Sequence, residues 1–308
     1  MADKRAIAQL DRLSLPGVDK IIAEIRNRIC GRVQVEEEWW CISLSLDEFK
    51  AFEARFEAEG NHCWPKYDYF PDVAKFVLRM AGDLHENAIK GYETQIIRQL
   101  FTIEQGNDKV ATHFTQGIRA KGSIKVESKD GGVHRPDGSW MHKDATELGV
   151  ILEVSHSQER QDLPFLADFY NLGSNGLTQM VIGLDLEYRK NKGKEARVIV
   201  WRPKQTKKKG KTTLETKKTF EGIFRNTDGS LANGKRNLRI WLKDFGKLDC
   251  PGIQKVQGAI TISFTQLYKM VQDGEAMEQT RKRRRGSDEV LVGRNKELFG
   301  IAEEKVEK

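Results

Sequence analysis

The sequence predicts an α/β (α+β) fold in which a mixed sheet is flanked by helices. Short β-branched runs bounded by glycine read as buried strands, Val150-Ile151-Leu152 after Gly149 being the clearest. Stretches with apolar residues three and four apart read as amphipathic helices. Their order over about 72–188 is helix, three strands, helix, strand, which suits a mixed sheet with helices on its faces.

Composition narrows the class. The 308 residues are 38% hydrophobic and 31% charged, too apolar for a chain disordered throughout and long enough for one large domain or two modest ones. No apolar run approaches the roughly 18 residues of a membrane span, and Met1 to Arg12 is charged rather than signal-like, so no membrane partner is expected. Cys30, Cys41, Cys63 and Cys250 lack C-x-x-C spacing and read as reduced, mostly buried thiols of an intracellular protein. A net charge of +7 favours a polyanionic partner.

Taken in order, residues 1–30 carry a helical pattern (Val18, Ile21, Ile22, Ile25 in its second half) broken at Pro16-Gly17. Glu38 to Leu46 reads as a strand. Asp47 caps a helix from Glu48 to Glu59, with Phe49, Phe52 and Phe56 on one core-facing side. Gly60 to Pro71 reads as a loop, and a long helix follows from about Asp72 to Phe101, interrupted near Gly82. On that helix Glu86 and Glu93 lie seven apart and share a side, where a solvated face is the ordinary reading.

Ser123 to Glu127, a turn at Lys129-Asp130-Gly131-Gly132 and Val133 to Met141 predict a hairpin. Glu147 to Ser155 is the central strand, Gln158 to Leu172 a helix with Leu163, Leu166, Ala167 and Tyr170 inward, and Thr178 to Tyr188 an apolar strand. Ala196 to Arg202 is a further strand, and Lys204 to Lys211 a cationic loop. Leu214 to Phe224, Leu238 to Phe245 and Ile260 to Phe264 read as strands, before a helix from Thr265 to Glu278. Arg281-Lys282-Arg283-Arg284-Arg285 then opens a polar, flexible tail. By domains, 1–70 packs on a core at 71–265, and 266–308 forms a C-terminal helix and basic tail.

The chemistry centres on two acids. Asp137 follows a proline, and Glu153 ends the Val150-Ile151-Leu152 run. A bare carboxylate at the end of a buried strand is costly, so it wants a partner. Two carboxylates brought together by adjacent strands can hold a hard divalent cation through oxygen ligands.

Several pieces carry a resemblance: L-H-E at 84–86, R-P-D at 135–137, I-L-E-V-S-H-S-Q at 151–158, L-A-D-F-Y at 166–170, G-L-D-L-E-Y at 183–188 and V-W-R-P at 200–203. F-R-N-T-D-G at 224–229 and L-K-D-F-G at 242–246 match more loosely. In this order the chain resembles the PD-(D/E)XK nuclease superfamily from about Trp39 to Phe264. More narrowly, it is similar to fungal nuclease-like proteins related to the nuclease portion of spore-killer proteins. The resemblance implies a restriction-endonuclease-like αβββαβ core extended by additional strands, and Mg²⁺-dependent (or Mn²⁺-dependent) hydrolysis of DNA phosphodiesters with little sequence specificity. Asp137 and Glu153 would ligate the metal, assisted by the Val154 carbonyl, with Glu86 a further metal or water ligand.

The sequence departs from that pattern two residues after the second acid, where the family's lysine is replaced by Ser155, which cannot carry a charge. Gln158 is then expected to position the nucleophile, since an amide both donates and accepts. Arg160 or Lys143 would supply the missing cation. Two readings follow: slow metal-assisted cleavage, or an inactive nucleic-acid-binding relic. His85, His134, His142 and His156 could bind a softer metal, although partly buried or surface imidazoles are the ordinary reading. Trp201 and Trp241 read as core rather than base-stacking residues.

Two cationic runs, Lys207-Lys208-Lys209 and Arg281 to Arg285, are expected to contact phosphates in a salt-sensitive way. The second resembles a nuclear-localisation patch, implying a nuclear protein. Double-strand cutting would favour a homodimer.

Overall fold

Apolar residues in the first third of the chain build a small antiparallel sheet, and those in the middle build a larger mixed one. The computed structural model describes residues 15–29, 39–58, 66–79, 82–155, 162–186, 193–208, 211–246 and 252–287. The smaller sheet begins after helix α1 (Pro16–Ile29) with β1 (Trp39–Ser43), then α2 (Leu46–Ala58), β2 (Lys66–Phe70) and β3 (Lys75–Arg79). It is completed by β5 (Val126–Glu127) and β6 (Val133–His134) in the order β1-β3-β2-β6-β5. Ile21 and Ile25 of α1 and Phe49, Phe52 and Phe56 of α2 cover Tyr67, Tyr69, Phe76 and Leu78 of the sheet, as the phenylalanine spacing predicts.

Helix α1 begins at Pro16, where the sequence pattern places a break, because the proline's missing N–H and fixed φ suit a first helical turn; Ile7, Leu10 and Leu13 lie outside the described residues. Two expectations in this region are corrected. The cap of α2 is Ser45, not Asp47: Glu48 N–H donates to Ser45 Oγ (3.3 Å) and Ser45 N–H to Glu48 Oε2 (2.9 Å), a reciprocal capping box. Residues 66–79 form a β-hairpin, with Tyr67 opposite Leu78 and Tyr69 opposite Phe76, not a loop followed by a helix. Both faces of β2 are buried at positions 67–69, which removes the polar alternation that marks a half-exposed strand.

The larger sheet follows helix α3 (Asp83–Glu104) and the short α4 (Lys109–Thr115). Its strands are β4 (Ile118–Ala120), β7 (Gly138–His142), β8 (Val150–Ser155), β9 (Met180–Leu186), β10 (Ala196–Lys208) and β11 (Lys211–Arg225), in the order β11-β10-β9-β8-β7-β4. β8 and β9 are parallel, joined through helix α5 (Asp162–Gly173); the other neighbours are antiparallel. The fold is therefore mixed α+β, with α3, β4, β7, β8, α5 and β9 in the expected αβββαβ order. Val150, Leu152 and Val154 face Leu84, Ala88 and Tyr92 of α3, whereas Ile151 faces Leu163, Leu166 and Tyr170 of α5. A hairpin of β12 (Asn237–Trp241) and β13 (Ala259–Ser263) leads into α6 (Phe264–Ser287), which packs along α3.

Further corrections follow. The expected strand Val133 to Met141 is split at Arg135-Pro136-Asp137 into β6 and β7, which belong to different sheets. The expected loop Lys204 to Lys211 is largely strand, since β10 and β11 stay in register out to Lys208 opposite Lys211. Arg281 to Arg285 lie within the last turns of α6 rather than in a tail. Trp201 is core, but Trp241 is 40% exposed beneath the Arg239 guanidinium. No helix among the described residues is long and apolar enough to cross a membrane.

Candidate functional site

The break between β6 and β7 positions the first acid. Gly138 pairs with Leu152, so Asp137 stands beside the end of β8 at the point where the chain passes between sheets. The Asp137 carboxylate is buried; Oδ2 accepts from Val154 N–H (2.8 Å) and lies 3.1 Å from His85 Nε2 of α3. Glu153, on β8, is also buried, and its Oε1 accepts from the Tyr170 hydroxyl of α5 (2.6 Å).

The remaining oxygens meet cations from the β2–β3 hairpin. Arg79 Nη1 lies 3.5 Å from Asp137 Oδ1 and 3.4 Å from Glu153 Oε2, between the two carboxylates. The guanidinium is anchored from behind: Nε lies 3.0 Å from Asp68 Oδ2, and Nη2 donates to Asp68 Oδ1 (3.3 Å) and to the Arg135 carbonyl. Lys66 Nζ donates to Glu86 Oε1 (3.1 Å) and Asp137 Oδ1 (3.4 Å). Glu86, Asp137 and Glu153 are thus brought together around one ammonium group, Lys66, and one guanidinium group, Arg79.

The charges in the cluster shift one another's titration. Burial pushes the Asp137 carboxyl up, but His85, Arg79 and Lys66 outweigh it and hold it below the ordinary carboxylate range. Glu153 goes the other way, raised by burial and then by the neighbouring Asp137 charge. His85 is lowered by burial but raised more by Asp137, to about 9. The imidazole, with Nδ1 3.9 Å from Glu86 Oε1, and then the Lys66 charge hold Glu86 down at about 2. Four carboxyl groups, Asp68, Glu86, Asp137 and Glu153, thus meet three cationic side chains, Arg79, Lys66 and His85.

Hard oxygen donors of this kind suit Mg²⁺. As they stand, however, no three carboxylate, imidazole or thiol groups among the described residues converge on one point closely enough to hold a metal ion. The donor set fits an ion only by exchange for one of the chain's own cations. Lys66 is the most accessible of these, its side chain 21% exposed against 7% for Arg79.

The other sequence-predicted residues are placed as follows. Ser155 is buried at the last position of β8. Gln158, Arg160, His156 and Lys209 lie outside the described residues. Val154 gives Asp137 its N–H, a contact the sequence reading did not contain. Lys143 follows the far end of β7 and takes no part in the cluster. Lys207 is exposed on β10, Lys208 closes its pairing with β11, and Arg281 to Arg285 lie at the end of α6. His142 stacks on Phe114 instead of joining the acids.

Lys66, Asp68 and Arg79 were missed. Their signal is the K-Y-D-Y alternation at 66–69, which puts Lys66 and Asp68 on one strand face; it is hidden by the aromatic run that reads as loop. Beside the cluster, His134 lies 3.2 Å from Asp68 Oδ1 and forms one wall of a cleft of about 810 Å³. Phe70, Phe165 and Phe169 line this cleft together with Asp72 and Asp168, a surface unsuited to a polyanion.

Comparison with known proteins adds no relative: no protein-family model and no curated protein matches the chain.

Proposed function

We propose that the chain is a divalent-metal-dependent nuclease that hydrolyses DNA phosphodiester bonds. The observation that carries this reading is the convergence of Glu86, Asp137 and Glu153, from α3, the β6–β7 break and β8, around Lys66 and Arg79. Lys66 is the cation that Ser155 cannot be. Reaching the acids from β2 rather than β8, its partly exposed ammonium would meet a phosphate oxygen. Glu86, Asp137 and Glu153 would hold Mg²⁺ or Mn²⁺, which when bound lowers the pKa of a water and offsets charge on the phosphate. Arg79, fixed by Asp68 and the Arg135 carbonyl, keeps Asp137 and Glu153 side by side, and Tyr170 orients Glu153. Backbone phosphates rather than base edges would be engaged, giving little sequence specificity.

The test is plasmid nicking with Mg²⁺ or Mn²⁺ by the wild type, Asp137→Ala and Glu153→Ala. Loss of nicking in both variants supports the reading; equal nicking by all three points to a contaminant and ends it. A second reading, a nuclease-fold protein that binds nucleic acid without cutting, is favoured by the Arg79 guanidinium standing between the two carboxylates. Salt-sensitive binding without nicking would support it.

A further inference from the structure

The β10–β11 pair outruns its sheet. β9 pairs with β10 only as far as Trp201, yet β10 and β11 stay in register for seven more pairs, Arg202 opposite Lys217 to Lys208 opposite Lys211. At about 3.3 Å per residue this is a two-stranded arm roughly 20 Å long. Its root is fixed. Gly176 (φ +72°), in the turn after α5, comes so close that a methyl group there would lie 3.0 Å from Leu214 Cδ1 and 3.4 Å from Pro203 Cβ.

Charge is concentrated on the arm. The paired positions, 202–208 and 211–217, hold six of the chain's 52 Lys and Arg residues and one of its 45 acids, a net +5. The whole chain is +7, so every other position together sums to only +2. The two sides differ as well. Pro203 and Leu214, at alternate register positions, lie toward Gly176, and Lys207 shares that side, whereas Lys204, Thr206, Thr213, Glu215 and Lys217 share the opposite side, where Lys204 and Glu215 form an ion pair (3.4 Å). Lys204, Lys207 and Lys217 are exposed.

We infer that this arm is a docking surface for double-stranded DNA, laid into the major groove. The inference rests on the nucleic-acid reading proposed above and names the form of its substrate. With strands about 4.8 Å apart, a two-stranded ribbon fits the roughly 12 Å width of the B-form major groove. The major groove of an RNA duplex is deep and narrow and does not admit it. Lysines along both edges meet the two phosphate walls, and the threonines between them offer hydroxyls. The arm extends past the Trp201 end of β10, away from the level of Glu153, and lies two strands across the sheet from β8. It therefore anchors duplex on the order of 20–30 Å from the acids, close to one helical turn.

The test is fluorescence anisotropy with a 24-base-pair DNA duplex and an RNA duplex of the same sequence, in EDTA, at several salt concentrations. It compares the wild type with Lys204→Gln/Lys207→Gln/Lys217→Gln. Wild type is expected to prefer the DNA duplex at least tenfold. The triple variant is expected to bind that DNA at least tenfold more weakly, with a log–log salt slope shallower by about two to three. Unchanged DNA affinity and slope in the variant overturn the arm proposal and leave the nuclease reading standing. No binding of any nucleic acid by the wild type overturns both. By light scattering, a wild-type dimer that the substitutions convert to a monomer makes the arm a contact between copies and also overturns the proposal.

Discussion

Arg79 Nη1 lies 3.4 Å from Glu153 Oε2 and 3.5 Å from Asp137 Oδ1, so a single guanidinium nitrogen stands between the two carboxylates. Removing one partner of a buried ion cluster leaves uncompensated charge, which typically costs about 3–5 kcal/mol. Arg79→Met is therefore expected to lower the melting temperature clearly. Millimolar Mn²⁺ is expected to restore more of that loss in the variant than it adds to the wild type, because an ion takes over the vacated charge. Equal Mn²⁺ shifts in scanning calorimetry would show that Arg79 and a metal do not share the acids.

On the nuclease reading, Lys66 matters to activity more than to stability. Its ammonium is partly exposed and makes two contacts, so Lys66→Ala is expected to move the melting temperature by only a few degrees. Plasmid nicking is expected to fall at least tenfold. Full nicking by Lys66→Ala would remove the lysine from the mechanism.

The hydroxyl of Tyr170 is the sole described donor to Glu153 Oε1, at 2.6 Å. Tyr170→Phe leaves that buried oxygen without it, an expected cost of about 1–3 kcal/mol in urea denaturation. A variant as stable as the wild type would mean that water replaces the hydroxyl.

His85 sets a pH dependence. Its folded pKa, about 9, lies above the unfolded value of 6.5, so the folded state holds its proton more tightly. The associated stability is fully present below about pH 6.5 and is lost as pH rises through 9. The difference is on the order of 3 kcal/mol. His85→Gln is expected to flatten the stability profile between pH 6.5 and 9; an unchanged profile would place the titration elsewhere.

Much of the central architecture was legible because strands buried on both faces, such as Val150 to Ser155, announce themselves as apolar runs. The acids were legible for the same reason, since a carboxylate ending such a run demands a partner. What was hidden is the source of that partner. Lys66, Asp68 and Arg79 lie in a hairpin whose buried aromatics erase the alternation of a strand, and only pairing with β6 brings it to the acids. The arm was hidden by composition: a lysine-rich stretch reads as loop, and its strand character comes from 13 registered pairs with β11.

The account turns on whether the three acids accept a divalent ion in exchange for a cation of the chain. Anomalous diffraction from a crystal soaked in Mn²⁺ tests this directly. The expected result is one strong peak at coordination distance from Asp137 and at least one of Glu86 and Glu153, with Lys66 Nζ displaced. Saturating Mn²⁺ that leaves Lys66 and Arg79 on the carboxylates, with no peak between them, would contradict it.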